Sequence, residues 1–149
     1  MSELADDVTE DAFLGGKLSL RQPKSGHRAG HDAMLLAAST PARSGDRVVD
    51  LGAGVGAAGF AVARRVAGIT LALVEIDNAL AELARANALA NAIAAKVVLL
   101  DVTSGAESFA SAGLLPDSVD VALMNPPFND ASRHRASPGS ATRSYGRAC

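Results

Sequence analysis

Arg47-Val48-Val49-Asp50-Leu51-Gly52-Ala53-Gly54-Val55-Gly56 is the stretch whose reading decides the fold. A short β-branched run opens into glycines, and a helical segment with Phe60 on one side follows from Ala57 to Val66. Glycines at such a junction allow a tight turn and bring a ligand close to the backbone, at the positive end of the helix. Downstream, Ile69 to Ile76 reads as a buried strand ending in Glu75 and Asp77. Ala79 to Asn91 is an alanine-rich helix with Leu80, Leu83, Asn87 and Asn91 at helical spacing. Lys96 to Leu100 is a third strand closed by Asp101, and Val119 to Met124 a fourth that runs into Asn125. Strands alternating with helices predict an α/β fold, a Rossmann-like parallel sheet with helices on both faces.

Upstream the signal is weaker. Residues 1–12 read as a polar tail. Leu18 and Leu20 alternate with polar neighbours between Gly15-Gly16 and Pro23, which suggests one arm of an N-terminal hairpin. Asp32 is placed to cap a short helix from Ala33 to Ala38. The domain therefore reads as residues 13–128, followed by an irregular tail over 129–149 rich in Arg, Ser and Gly.

Charge and composition exclude several functions. A net charge of -2 gives no attraction of the whole molecule to nucleic acid or anionic lipid. Positive charge is local: Lys17, Arg21, Lys24 and Arg28 occur with two histidines and no acid up to His31, which suits either a phosphate-facing patch or a solvated loop. The single cysteine, Cys149, builds neither a disulfide framework nor a metal cluster, which fits a cytoplasmic protein without a metal. The acidic N-terminus does not read as a secretory signal, and no apolar run approaches the roughly 20 residues of a membrane helix.

The glycines alone are ambiguous, since Gly54-Val55-Gly56-Ala57-Ala58-Gly59 also fits the dinucleotide pattern G-x-G-x-x-G. Of three acids at strand ends, Asp50 weighs against a pyrophosphate, whereas Glu75 fits the adenosine of either cofactor. Asp50, just before Gly52 and Gly54, would repel one but suits the cationic methionine part of S-adenosylmethionine. Glu75 can take both hydroxyls of a ribose, and Asp101 can accept from an adenine amine.

Asn125-Pro126-Pro127-Phe128 is the most specific signal. Two prolines stiffen the loop and remove its donors. The Asn125 side-chain oxygen and the Pro126 carbonyl then form two fixed acceptors for the two hydrogens of an exocyclic amine. Holding both aims the lone pair at an electrophilic methyl, so catalysis is positioning and electrostatics. Phe128 can stack on the acceptor's ring.

The glycine loop, Glu75, Asp101 and Asn-Pro-Pro-Phe, in that order, resemble class I S-adenosylmethionine-dependent methyltransferases with the small-methyltransferase domain. Phe13-Leu14-Gly15-Gly16-Lys17-Leu18, Gln22-Pro23 and Arg28-Ala29-Gly30-His31-Asp32-Ala33-Met34-Leu35-Leu36 further resemble bacterial tRNA (adenine-N6)-methyltransferases. The resemblance implies S-adenosylmethionine on Asp50, Gly52, Gly54, Glu75 and Asp101, the target amine on Asn125, a tRNA partner, and a place near the cleft mouth for His31 and Asp32. A glutamine amide in a release factor or a guanine amine in ribosomal RNA are alternative acceptors, and a dinucleotide-dependent oxidoreductase or a non-catalytic remnant are alternative functions.

The resemblance runs to about Pro138, and Gly139 to Cys149 departs from it. The expectation is an incomplete sheet, its fourth strand left at an edge, with weak stability and low turnover.

Overall fold

A computed structural model describes residues 7–26 and 28–126. The described chain forms a hairpin of β1 (Val8–Phe13) and β2 (Leu18–Pro23), then α1 (His31–Ser39), β3 (Arg47–Leu51), α2 (Ala57–Arg65), β4 (Thr70–Glu75) and α3 (Asn78–Ala90). It ends with β5 (Ala95–Leu99), α4 (Ala106–Ser111) and β6 (Val121–Met124). The last four strands make one parallel sheet in the order β5-β4-β3-β6. The chain thus moves outward from β3 to β5 and then crosses back to the other side of β3. That reversal opens a crevice at the carboxyl ends of β3 and β6, where sheets of this kind bind ligands.

Side-chain alternation assigns each strand residue to a face. Val48, Leu71, Leu73 and Leu123 point toward α1, α2, α3 and the hairpin, in one cluster with Phe60, Val62, Leu18 and Leu20. Val49, Val74 and Val98 form a smaller cluster on the other face, with Leu51, Leu114 and Val119 packed against it. By the same alternation Asp50 and Glu75 lie on the helix-covered face.

Three local differences from the sequence reading have physical causes. Val8–Phe13, all but its last residue expected within a polar tail, is a strand paired antiparallel with Leu18–Pro23. Its inward polar group, Asp11, is held by Gln22, Thr9 and Arg28 (2.8 Å each), so a polar network replaces the apolar alternation that marks a strand. Asp32 does not cap α1: the helix starts at His31 after Gly30, and Asp32 lies in its first turn. The short α4 carries no apolar stripe that announces it.

The open edge of β2 is covered by side chains. Asn87 accepts from the Arg21 amide (2.8 Å) and donates to the Arg21 carbonyl (3.0 Å) and the Val55 carbonyl (3.1 Å). One turn on, Asn91 makes the same pair of bonds to Ser19 (3.0 and 2.6 Å). Asparagines at i and i+4 of α3 therefore meet alternate residues of the strand as another strand would, and tie the hairpin to the glycine loop.

Candidate functional site

Asp50, next to last in β3, is only 1% exposed. Its Oδ2 accepts from the Gly59 amide of α2 at 3.0 Å. Gly59 is required for this approach: a Cβ there would lie 2.7 Å from Leu73 and 3.1 Å from Asp50 Oδ2. Burial pushes the Asp50 carboxyl up to about 7, the Gly59 bond opposes this, and the negative charge of Glu75 adds to it. Among the described residues Oδ1 has no partner, and since Asp50 lines the cleft, this oxygen faces the ligand space.

The loop after Asp50 is held by the second acid. Glu75 Oε2 accepts from the Gly54 amide (2.7 Å), and Oε1 from the amides of Ile76 and Asp77 (2.9 Å each). Gly54 meets Glu75 with φ +58, a left-handed conformation that costs glycine little. Gly56, at φ +95, begins α2 where a Cβ would stand 2.2 Å from the Phe60 ring. The Gly54 and Gly56 amides are thus consumed, by Glu75 and by the Ala53 carbonyl (2.9 Å). With two carboxylates facing the loop, few donors and an adverse field remain for a pyrophosphate. The arrangement answers the dinucleotide ambiguity on physical grounds.

Asn125 follows β6, which is fixed on β3 at its other end. There Arg47 donates from Nε and Nη2 to Asp120 Oδ2 and Oδ1 (3.0 and 3.1 Å), and the Arg47 amide donates to Oδ2 at 2.7 Å. These bonds hold the Asp120 carboxyl down at about 2. Leu51 pairs with both Val74 and Met124. Continuing that register sets Glu75 and Asn125 level with Gly52, one on each side of it. Asn125 shares the face of Leu123, and its Nδ2 donates to Asp32 Oδ2 of α1 at 3.2 Å.

The resulting cleft is lined by Asp50, Gly52, Ala53, Gly54, Leu80 and Asn125 together with Ala29 and Ala33. Four of the expected site residues, Asp50, Gly52, Gly54 and Asn125, thus meet in one place. Glu75 reaches the cleft through Gly54. Because three backbone amides occupy its oxygens, only one of the four lone-pair positions of a carboxylate remains, not the room expected for both hydroxyls. Asp101 stands apart: its Oδ1 takes the amide and hydroxyl of Thr103 (2.8 and 2.7 Å), bonds that lower its pKa, and it does not line the cleft. Pro126 follows Asn125 and is exposed, whereas Pro127, Phe128 and the tail over 129–149 lie outside the described residues.

The basic segment is also partly committed inward. Arg28 is bound to Asp11, Thr9 and the Pro23 carbonyl, leaving Lys17, Arg21 and Lys24 as its exposed cations. The resemblance implied a place near the cleft mouth for the segment around His31 and Asp32; Ala29 and Ala33 of that segment line the cleft and Asp32 bonds Asn125, although nothing in two alanines by themselves signals a wall. No group of acids, histidines and cysteines suited to a metal occurs among the described residues, and no helix there is long and apolar enough to cross a membrane.

A strand order that reverses beside β3, a glycine loop held by Glu75 beside the buried Asp50 and an asparagine across the cleft define a Rossmann-like methyltransferase fold. The family model of the methyltransferase small domain matches residues 25–140, and the chain belongs to that family. Among solved structures it is similar to a predicted O-methyltransferase from Agrobacterium tumefaciens, at 39% identity and TM-score 0.57, covering 66% of this chain and 50% of that one. It is similar also to the 16S rRNA N2 G1207 methyltransferase of Thermus thermophilus, in complex with AdoMet and guanosine, at 25% identity and TM-score 0.61 (83% and 33% covered). A third is TrmN from Thermus thermophilus, at 28% identity and TM-score 0.52 (64% and 27% covered). The chain thus spans half or less of the length of these three proteins. A search of curated proteins returns no match.

Proposed function

We propose that this chain is the cofactor-binding and amine-positioning part of an S-adenosylmethionine-dependent N-methyltransferase, with adenine N6 in tRNA as the favoured acceptor. The observation that carries the reading is the meeting of Asn125 with Asp50, Gly52 and Gly54 in one cleft. The donor set fits the cofactor: a buried carboxylate with one oxygen toward the cleft suits an ammonium, and the remaining lone pair of Glu75 suits one ribose hydroxyl. Asp101 does not line the cleft, and its Oδ2, without a partner among the described residues, is our candidate for an adenine amine that extends beyond it. When bound, S-adenosylmethionine supplies an electrophilic methyl on a sulfonium.

The chain's own residues then bind and orient. Gly52 and Gly54 admit a ligand to the backbone, at φ +69 and +58 with nothing within 4 Å of a Cβ position. Asn125 Oδ1 accepts one hydrogen of the target amine and the Pro126 carbonyl the other, while Phe128 stacks on its ring. No side chain serves as nucleophile. The exposed Lys17, Arg21 and Lys24 meet the phosphate backbone, and the cell compartment is the cytoplasm.

Tritiated cofactor incubated with the chain and, in parallel, total tRNA, ribosomal RNA or a release factor, followed by mass analysis of the nucleosides and of the protein, tests this. N6-methyladenosine is the expected product, formed far more slowly but still measurably by Asn125→Ala. N2-methylguanosine in ribosomal RNA, a methylated release-factor glutamine, or a methylated hydroxyl would each overturn the assignment of the acceptor.

A further inference from the structure

The amide of Asn125 has an acceptor end and a donor end, and only the acceptor end can hold an amine. A half-turn about the last side-chain bond exchanges them, and in a cleft open to water nothing intrinsic favours one. The described residues supply a bias: Nδ2 donates to Asp32 Oδ2 at 3.2 Å, across 93 residues of sequence. A carboxylate only accepts, so it attracts Nδ2 and repels Oδ1. It also draws on the Nδ2 hydrogens, which leaves more negative charge on Oδ1 through the amide resonance.

The placement of Asp32 is itself firm. It sits in the first turn of α1, where unpaired backbone amides favour an acid. Ala33 and Ala37 are buried in the helix-covered cluster, and Arg65 donates to the carbonyls of Ala37 (3.0 Å) and Thr40 at the other end of α1. Asp32 makes no other side-chain hydrogen bond among the described residues.

We infer that Asp32 is the positioning residue of the amine site, locking the Asn125 amide with its oxygen toward the acceptor. The inference rests on the proposed amine-transfer function for its purpose, but the contact can be read without turnover. In the ¹⁵N-labelled full chain, the Asn125 side-chain amide pair is assigned by its loss in Asn125→Ala. Asp32→Asn, matched in size but able to donate, is expected to move that pair, while Glu82→Gln on the outer face of α3 leaves it in place. An unmoved pair in a folded Asp32→Asn protein would overturn the contact.

With tRNA and tritiated cofactor, Asp32→Asn is expected to lower kcat about tenfold, as for loss of a charge-assisted bond, with the KM for cofactor unchanged. In an Asn125→Ala background it is expected to cost nothing further, whereas losses that multiply independently would contradict a role through Asn125. If the unaltered chain transfers no methyl to any amine, the functional reading fails, and the amide signal still decides whether Asp32 fixes Asn125.

Discussion

The two faces of the parallel sheet are built on different scales. On one, Val48, Leu71, Leu73 and Leu123 lie under α1, α2, α3 and the hairpin, in a cluster that also buries Phe60, Val62, Leu18 and Leu20. On the other, the cluster is Val49, Val74 and Val98 among the described residues, and Met124 is close to half exposed. Every site residue that the structure brings into the cleft comes from the first face or from the loop it supports. The lesson is that rigidity and chemistry coincide here: the face that buries most also sets Asp50, Glu75 and Asn125 by side-chain alternation.

The largest expected effect compares the two clusters directly. Phe60→Ala removes a fully buried ring and should destabilise the chain by about 3–5 kcal/mol in urea unfolding, whereas Val98→Ala should cost about 1–2 kcal/mol. Equal losses would break the contrast between the faces. A smaller effect should follow Asn87→Ala, which leaves the Arg21 amide and the carbonyls of Arg21 and Val55 without their partner. About 2 kcal/mol is expected, and hydrogen exchange at Arg21 should accelerate more than exchange at Val49 in β3. Protection unchanged at Arg21 would show that the asparagines do not hold the hairpin.

A third effect is electrical and is again a consequence of coverage. The folded chain raises Asp50 from the ordinary 3.8 to about 7 by burying it. The folded form therefore holds a proton that the unfolded form has lost. The associated stability is full below pH 4 and is lost as pH rises through about 7. Asp50→Asn should flatten that part of the pH–stability curve. A ligand cation favours the ionised carboxyl, so cofactor affinity should rise with pH from 6 to 8, by up to about tenfold per unit, and Asp50→Asn should lose this dependence. A variant that keeps the same pH profile would assign it to another group.

What could be read in the sequence follows the same division. The strands and helices around the glycine loop carry clear periodicity, and Asp50, Gly52, Gly54 and Asn125 meet where their places at strand ends imply. The first hairpin strand was not legible because Asp11, Gln22 and Arg28 satisfy one another inside it. Such pairing is tertiary and leaves no pattern along the chain. Asn87 and Asn91 showed helical spacing, but not the strand edge they cover. Glu75 and Asp101 stood out as acids at strand ends, yet which backbone amides would claim their oxygens depends on loop geometry that sequence alone does not give.

The central claim is that the described residues contain a working cofactor cleft made by the glycine loop, Asp50 and Glu75. Titration calorimetry of the full chain with S-adenosylhomocysteine and with NAD tests it most directly. The account predicts one S-adenosylhomocysteine per chain, weakened by Asp50→Asn and by Gly54→Val, and no heat from NAD. Binding of NAD alone, or S-adenosylhomocysteine binding indifferent to both substitutions, would contradict it.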